Sequence, residues 1–180
     1  MRTFHSEPLL IPPNAPEAAV SALHVATLVS VLAAASPALA AQWETYRNDD
    51  LGFSVAVPKH RFATASETMG RVQLRGIDSP AQLDLYGVEN PDGLTLDGLQ
   101  QMIEAADPNR RITYRAGGRS WFVLSGYLDD GREPEIFYAK FMLNARGTAL
   151  SAFEISYPQA QRDMFDPLVE RIEDSLTAPL

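Results

Sequence analysis

From Trp43 onward, apolar residues recur first at every second position and then at every third or fourth, and the changes of period mark out the elements. WETYR (43–47) and FSVAVP (53–58) form a pair of extended segments joined by NDDLG, where Asp49, Asp50 and Gly52 supply a turn. GRVQLRGI (70–77) alternates cleanly, with Val72 and Leu74 on one face and Gln73 and Arg75 on the other, and AQLDLYGVE (81–89) follows Ser79-Pro80. In TLDGLQQMIEAA (95–106) the period lengthens: Leu96, Leu99, Ile103 and Ala106 make one helical stripe. Thr95 is suited to cap that helix, and Asp107-Pro108 to stop it.

Four further strands are predicted at RITYRA (111–116), SWFVLSGYL (120–128), IFYAKFML (136–143) and TALSAFEISY (148–157). The second carries Trp121 and Val123 on one face and Phe122 and Leu124 on the other, the mark of a central strand covered on both sides. Asp166-Pro167 announces a closing helix, an N-cap acid followed by proline at the first helical position, and Phe165, Leu168, Val169, Ile172 and Leu176 form its buried stripe. Strand pairs, a helix, four strands and a closing helix predict an α+β domain: a mainly antiparallel sheet with helices packed on it.

That domain spans residues 41–180. Residues 1–40 read as a leader, because ALHVATLVSVLAAASPALA (22–40) carries no formal charge and ends in Ala38-Leu39-Ala40, the small-residue pattern of a signal-peptidase site. Cleavage there would make Ala41 the mature N-terminus and the protein periplasmic or secreted. The segment before the apolar run is atypical, with Glu7, Glu17 and four prolines beside Arg2. An uncleaved anchor helix is the competing reading of the same run.

Acids outnumber bases 23 to 15, for a net charge of −8, which argues against nucleic acid as a partner. Lys59 and Lys140 are the only lysines, so no polybasic membrane patch exists. The absence of cysteine removes disulfides, thiolate nucleophiles and zinc ribbons together.

Candidate chemistry is sparse. DDGREPE (129–135) reads as a hairpin turn, since its acids lack the alternate spacing of a calcium loop and Arg132 sits among them. His60, the one histidine outside the leader, lies in the loop PKHRF and would need an orienting acid and a nucleophile to act as a base. Ser125-Gly126 reads as a strand bend, because no helix follows to make a nucleophile elbow. Trp43, Tyr46 and Phe53 read as packing for the first hairpin. Arg110, Arg111, Arg115 and Arg119 cluster around one hairpin and form the strongest local charge contrast on an acidic chain, a candidate partner-binding edge or a solvated strand face. No catalytic set, cofactor site or metal site emerges.

Several short motifs nonetheless belong together. Trp43, Tyr46 and Asn48, then Gly52-Phe53 and Pro58, Ser125-Gly126, Tyr157-Pro158 and Ser175 stand in the order in which this chain resembles the PsbP-like superfamily over nearly all of residues 42–177. That superfamily joins the extrinsic subunit P of photosystem II, the Ran-binding Mog protein and many small exported bacterial proteins. The resemblance implies an α-β-α sandwich and a non-catalytic module of the cell envelope that acts by binding or assembling a protein partner. It supplies no catalytic residues, and metal and partner contacts of the photosynthetic members have no matching motif here. Two alternatives remain open: carriage of a small ligand or lipid, which needs an apolar cavity between sheet and helix, and hydrolysis through His60, which needs a carboxylate partner for it.

Overall fold

The computed structural model describes residues 42–129 and 133–180. The leader, its cleavage site and the tip of the DDGREPE turn (130–132) lie outside the described residues.

Among the described residues, nine strands and two helices make up the α+β chain that the sequence predicts. β1 (Trp43–Asn48) and β2 (Phe53–Pro58) form a separate antiparallel hairpin. Its turn needs Gly52, which adopts φ +69° and would press a Cβ against Leu180. The remaining strands are β3 (Phe62–Thr68), β4 (Arg71–Gly76), β5 (Gln82–Glu89), β6 (Arg110–Gly117), β7 (Trp121–Leu128), β8 (Glu135–Leu143) and β9 (Ala149–Pro158). They make one antiparallel sheet in the order β3-β4-β5-β9-β8-β7-β6. Helix α1 (Leu96–Ala106) lies between β5 and β6 in sequence, and α2 (Arg162–Ser175) follows β9 through a single 3₁₀ turn.

The alternation of strand side chains sorts the core into two layers. On one face Val72, Leu74, Leu83, Leu85, Phe153 and Ile155 meet Phe53, Val55 and Val57 of the hairpin and Phe165, Val169 and Ile172 of α2. On the other, Phe122, Leu124, Phe137, Ala139, Phe141, Leu150 and Ala152 meet Leu99 of α1. Thr95 caps α1, its Oγ1 accepting from the Gly98 amide at 3.2 Å. Ala106, at the end of the expected stripe, is exposed.

Two elements depart from the sequence reading. β3 is a strand where none is predicted: only Phe62 is buried, and Ala63–Thr68 are exposed on both faces of an edge strand, so no period-2 signal exists. The strand persists because its backbone pairs with β4, around a bulge between Thr64 and Ser66. The closing helix begins at Arg162, not at Pro167, so Asp166 is not its N-cap. Pro167 sits inside the helix, near enough to the N-terminus that it forfeits a single hydrogen bond, and the Asp166 carboxylate is drawn away to Tyr157 and Arg162.

After α2 the chain runs back along β2. The Thr177 amide donates to Ser54 O at 3.0 Å, the Ser54 amide to Thr177 Oγ1 at 2.8 Å, and the Ala56 amide to Ser175 Oγ at 2.8 Å. This strap ties hairpin, helix and C-terminus into one layer.

Candidate functional site

α2 is narrower than the sheet it covers. It packs over β9 and β8 and stops short of β7 and β6, so the same sheet face continues beyond it as an open ledge. The step between helix and ledge is a solvent-open groove of about 460 Å³. Its floor follows from strand register: Tyr138 pairs with Ser125 and Ser125 with Tyr114, while Ile136 pairs with Tyr127, so these side chains share one face. Tyr157 of β9 closes the inner end. Four of the chain's six tyrosines therefore line one groove.

The inner and outer tyrosines differ. Tyr157 donates to Asp166 Oδ1 at 2.8 Å and Tyr138 to Glu173 Oε2 at 2.5 Å, so each phenol clasps a carboxylate on the wall helix. Burial, reinforced by those carboxylates, pushes both phenols well above the ordinary tyrosine range. Behind the wall, Lys140 of β8 fastens α2 further, donating to Glu173 O at 3.1 Å at the C-terminal end of the helix. Tyr127 lies under the Arg111 guanidinium, 4.8 Å from ring centroid to Cζ, and Tyr114 is 54% exposed, a large aromatic face offered to solvent.

The outer floor depends on a glycine. β6 bulges between Ile112 and Tyr114 opposite Ser125 and Gly126, and a Cβ on Gly126 would lie 2.0 Å from Arg111 O. Ser125 and Gly126 thus lie within β7, and the Ser125 hydroxyl is spent on Phe137 O at 2.8 Å.

The clustered arginines do not act as one patch. Arg110 turns to the opposite sheet face, where it donates to Glu154 Oε2 at 2.5 Å and Asp107 Oδ2 at 3.2 Å inside a polar cleft of about 260 Å³. Tyr86 donates to the same Glu154, and burial with that carboxylate raises its phenol. Arg111 meets Asp129 at 3.2 Å. Arg115 grips Glu104 of α1 with two bonds of 2.9 Å and holds that carboxyl below its ordinary range, with Gln100 adding to the effect. Arg119 is exposed, with no ion pair among the described residues.

Elsewhere, His60 is exposed, with Nδ1 3.2 Å from Gln42 O and its ring edge-on to Trp43. Trp43 is covered by Arg171 at 4.2 Å, and Tyr46 packs on Phe53, so the first hairpin's aromatics serve packing. Among the described residues no three His, Asp or Glu converge as metal ligands. The space between sheet and α2 is filled by Phe153, Ile155, Phe165 and Ile172. A smaller apolar trough of about 210 Å³ lies instead between α1 and the sheet, where Leu99, Met102 and Ile103 face Tyr86, Val88 and Leu150.

Sequence reasoning missed the groove because its tyrosines come from four strands and only Tyr157 sits in one of the short motifs. The available signal was positional: Tyr114, Tyr127, Tyr138 and Tyr157 occupy the face of their strands away from Leu124, Phe137 and Ala139.

No protein-family model matches the chain, and no curated protein matches it in sequence. Solved structures do match. Cyanobacterial PsbP (CyanoP) from Synechocystis sp. PCC 6803 aligns with a TM-score of 0.57 at 15% identity, covering 77% of this chain and 93% of that one. A mutant of protein Mog1 gives 0.56 at 8% identity, over 76% and 95%. The Ran-binding protein Mog1p of Saccharomyces cerevisiae gives 0.54 at 7% identity, again over 76% and 95%. With the antiparallel sheet held between α1 on one side and α2 with its hairpin on the other, the chain has the PsbP-like, Mog-like fold.

Proposed function

We propose that this protein is an exported, non-catalytic binding or assembly module of the cell envelope, and that a protein partner docks on the tyrosine groove. The observation that carries the reading is the concentration of tyrosines there, with Tyr114 54% exposed. Tyrosine gives large contact area at small entropic cost and is enriched where partners bury surface. The wall is held rigidly by the Tyr138 and Tyr157 clasps, so little ordering is left to oppose binding. A Ran-binding protein among the structural neighbours is in keeping with this use of the fold. Of the four clustered arginines, Arg119 in the β6–β7 turn is the one left for a partner contact, away from the groove, since Arg110, Arg111 and Arg115 already serve acids of the same chain.

Among the described residues no acid partners the His60 ring for hydrolysis, and carriage of a lipid between sheet and α2 would compete with a filled core. The test is a photo-crosslinking residue at Thr113, on the groove floor, compared with one at Thr64 on β3. A discrete protein adduct from position 113 alone, lost in Tyr127→Ala, supports the reading. Adducts equal at both positions contradict it.

A further inference from the structure

The groove's two walls are chemically unequal. On α2, Asp166, Glu170 and Glu173 stand four and three residues apart and so face the groove together, with Arg162 the single cation lining it. Two of these acids are already engaged: Asp166 accepts from Tyr157 and Arg162, and Glu173 from Tyr138 with Lys140 at 3.4 Å. Glu170 is exposed and has no ion pair among the described residues. Across from this wall stands the open ring of Tyr114. Cations already rest on aromatic rings along this sheet face: Arg111 over Tyr127 at 4.8 Å and Lys140 over Trp121 at 5.5 Å. Tyr114 and Glu170 form a position of the same kind without its cation.

Resting on the docking role proposed for this groove, we infer that the bound part of the partner is an extended segment carrying an arginine or lysine, whose cation pairs with Glu170 above the Tyr114 ring. With Asp166 matched by Arg162 and Glu173 by Lys140, Glu170 is the unmatched charge of the wall, which makes an acidic or phosphorylated segment the wrong complement. The net charge of −8 favours encounter with a basic segment at long range, and the groove would decide where it stops.

The test pans a randomised peptide library displayed on phage against the full chain, then measures selected peptides on variants whose melting temperatures match the parent. The inference predicts binders that carry arginine or lysine and lose about tenfold in affinity to both Glu170→Lys and Tyr114→Ala, or about 1.4 kcal/mol. Asp92→Lys, the same charge change in the turn before α1, should alter affinity less than about twofold, as expected for a remote screened charge. Equal losses from Glu170→Lys and Asp92→Lys would reduce the effect to general attraction and overturn the inference. Acidic or uncharged binders that still require Tyr114 would overturn the basic segment while leaving the groove as the docking surface. Binders indifferent to Tyr114 and Tyr127, or no binders, would remove both.

Discussion

The two helices carry comparable amphipathic stripes yet are embedded in opposite ways. α1 meets its sheet face through Leu99, with Leu96 and Ile103 partly buried, and its one cross-element ion pair, Arg115 to Glu104, lies at the surface. α2 buries Phe165, Val169 and Ile172, and its polar border is then fastened to the sheet by Tyr138, Tyr157 and Lys140 and to β2 by the strap after Ser175. An apolar stripe decides where a helix lies; the groups bordering it decide how firmly it is held. A firmly held helix is what a groove wall requires, because binding geometry is lost when the supporting shell is loose.

The contrast breaks most visibly in the two cores. Ile172→Asp should unfold the domain, since Ile172 is fully buried: truncation alone costs roughly 2–5 kcal/mol, an unpartnered carboxylate costs more, and domains hold only about 5–15 kcal/mol. Leu99→Ala should cost toward the lower end of that truncation range and leave a cooperative transition, because α1 can settle where α2 cannot. Denaturant midpoints measure both, and a larger loss from Leu99→Ala than from Ile172→Ala would reverse the ranking.

The clasps come next. Tyr138→Phe and Tyr157→Phe should each cost about 1–2 kcal/mol, as expected for hydrogen bonds to carboxylates. They should also flatten the alkaline limb of stability. Both phenols are raised in the native state, so their contribution is whole below the unfolded tyrosine value of about 10 and is lost as pH climbs above it. Parent and double variant losing stability in parallel above that pH would sink the clasp.

Thr95→Ala should cost about 1 kcal/mol by uncapping α1. Smallest is Glu104→Gln. Glu104 is lowered in the native state, so its contribution is present above about pH 4.5 and lost as pH falls below it; at neutral pH the melting temperature should drop by about a degree or less, because Arg115 is exposed. A drop of several degrees would make that pair a true fastening and erase the difference between the helices.

The sequence and the fold agree where periodicity is strong. β4, β7 and α1 fall within a residue or two of their predicted spans, since β4 alternates around buried Val72 and Leu74, β7 carries a continuous apolar run and α1 spirals around Leu99. β3 was silent because a strand stabilised only by its backbone ladder leaves no side-chain pattern. Asp166-Pro167 misled because local cap chemistry was outbid by Tyr157, which is nine residues away in sequence but in contact in the fold. The groove was illegible for a related reason: Tyr114, Tyr127, Tyr138 and Tyr157 converge only through strand register, and Tyr114 joins the other three only because of the β6 bulge facing Gly126. The arginine cluster was visible as a cluster; alternation separates Arg110 from Arg111, but the separation of Arg111 from Arg115, which share a strand parity, depends on that same bulge, and the acids they meet come from α1, β9 and the end of β7.

The central claim is that Tyr114 and Tyr127 are there for a partner, not for the fold. Its most direct test pairs two readings on Tyr114→Ala: the melting temperature, and the yield of the protein adduct formed from a photo-crosslinker at Thr113. Because Tyr114 is half exposed, the melting temperature should stay within about two degrees of the parent while the adduct falls at least several-fold. An undiminished adduct on a stably folded Tyr114→Ala protein would contradict the account.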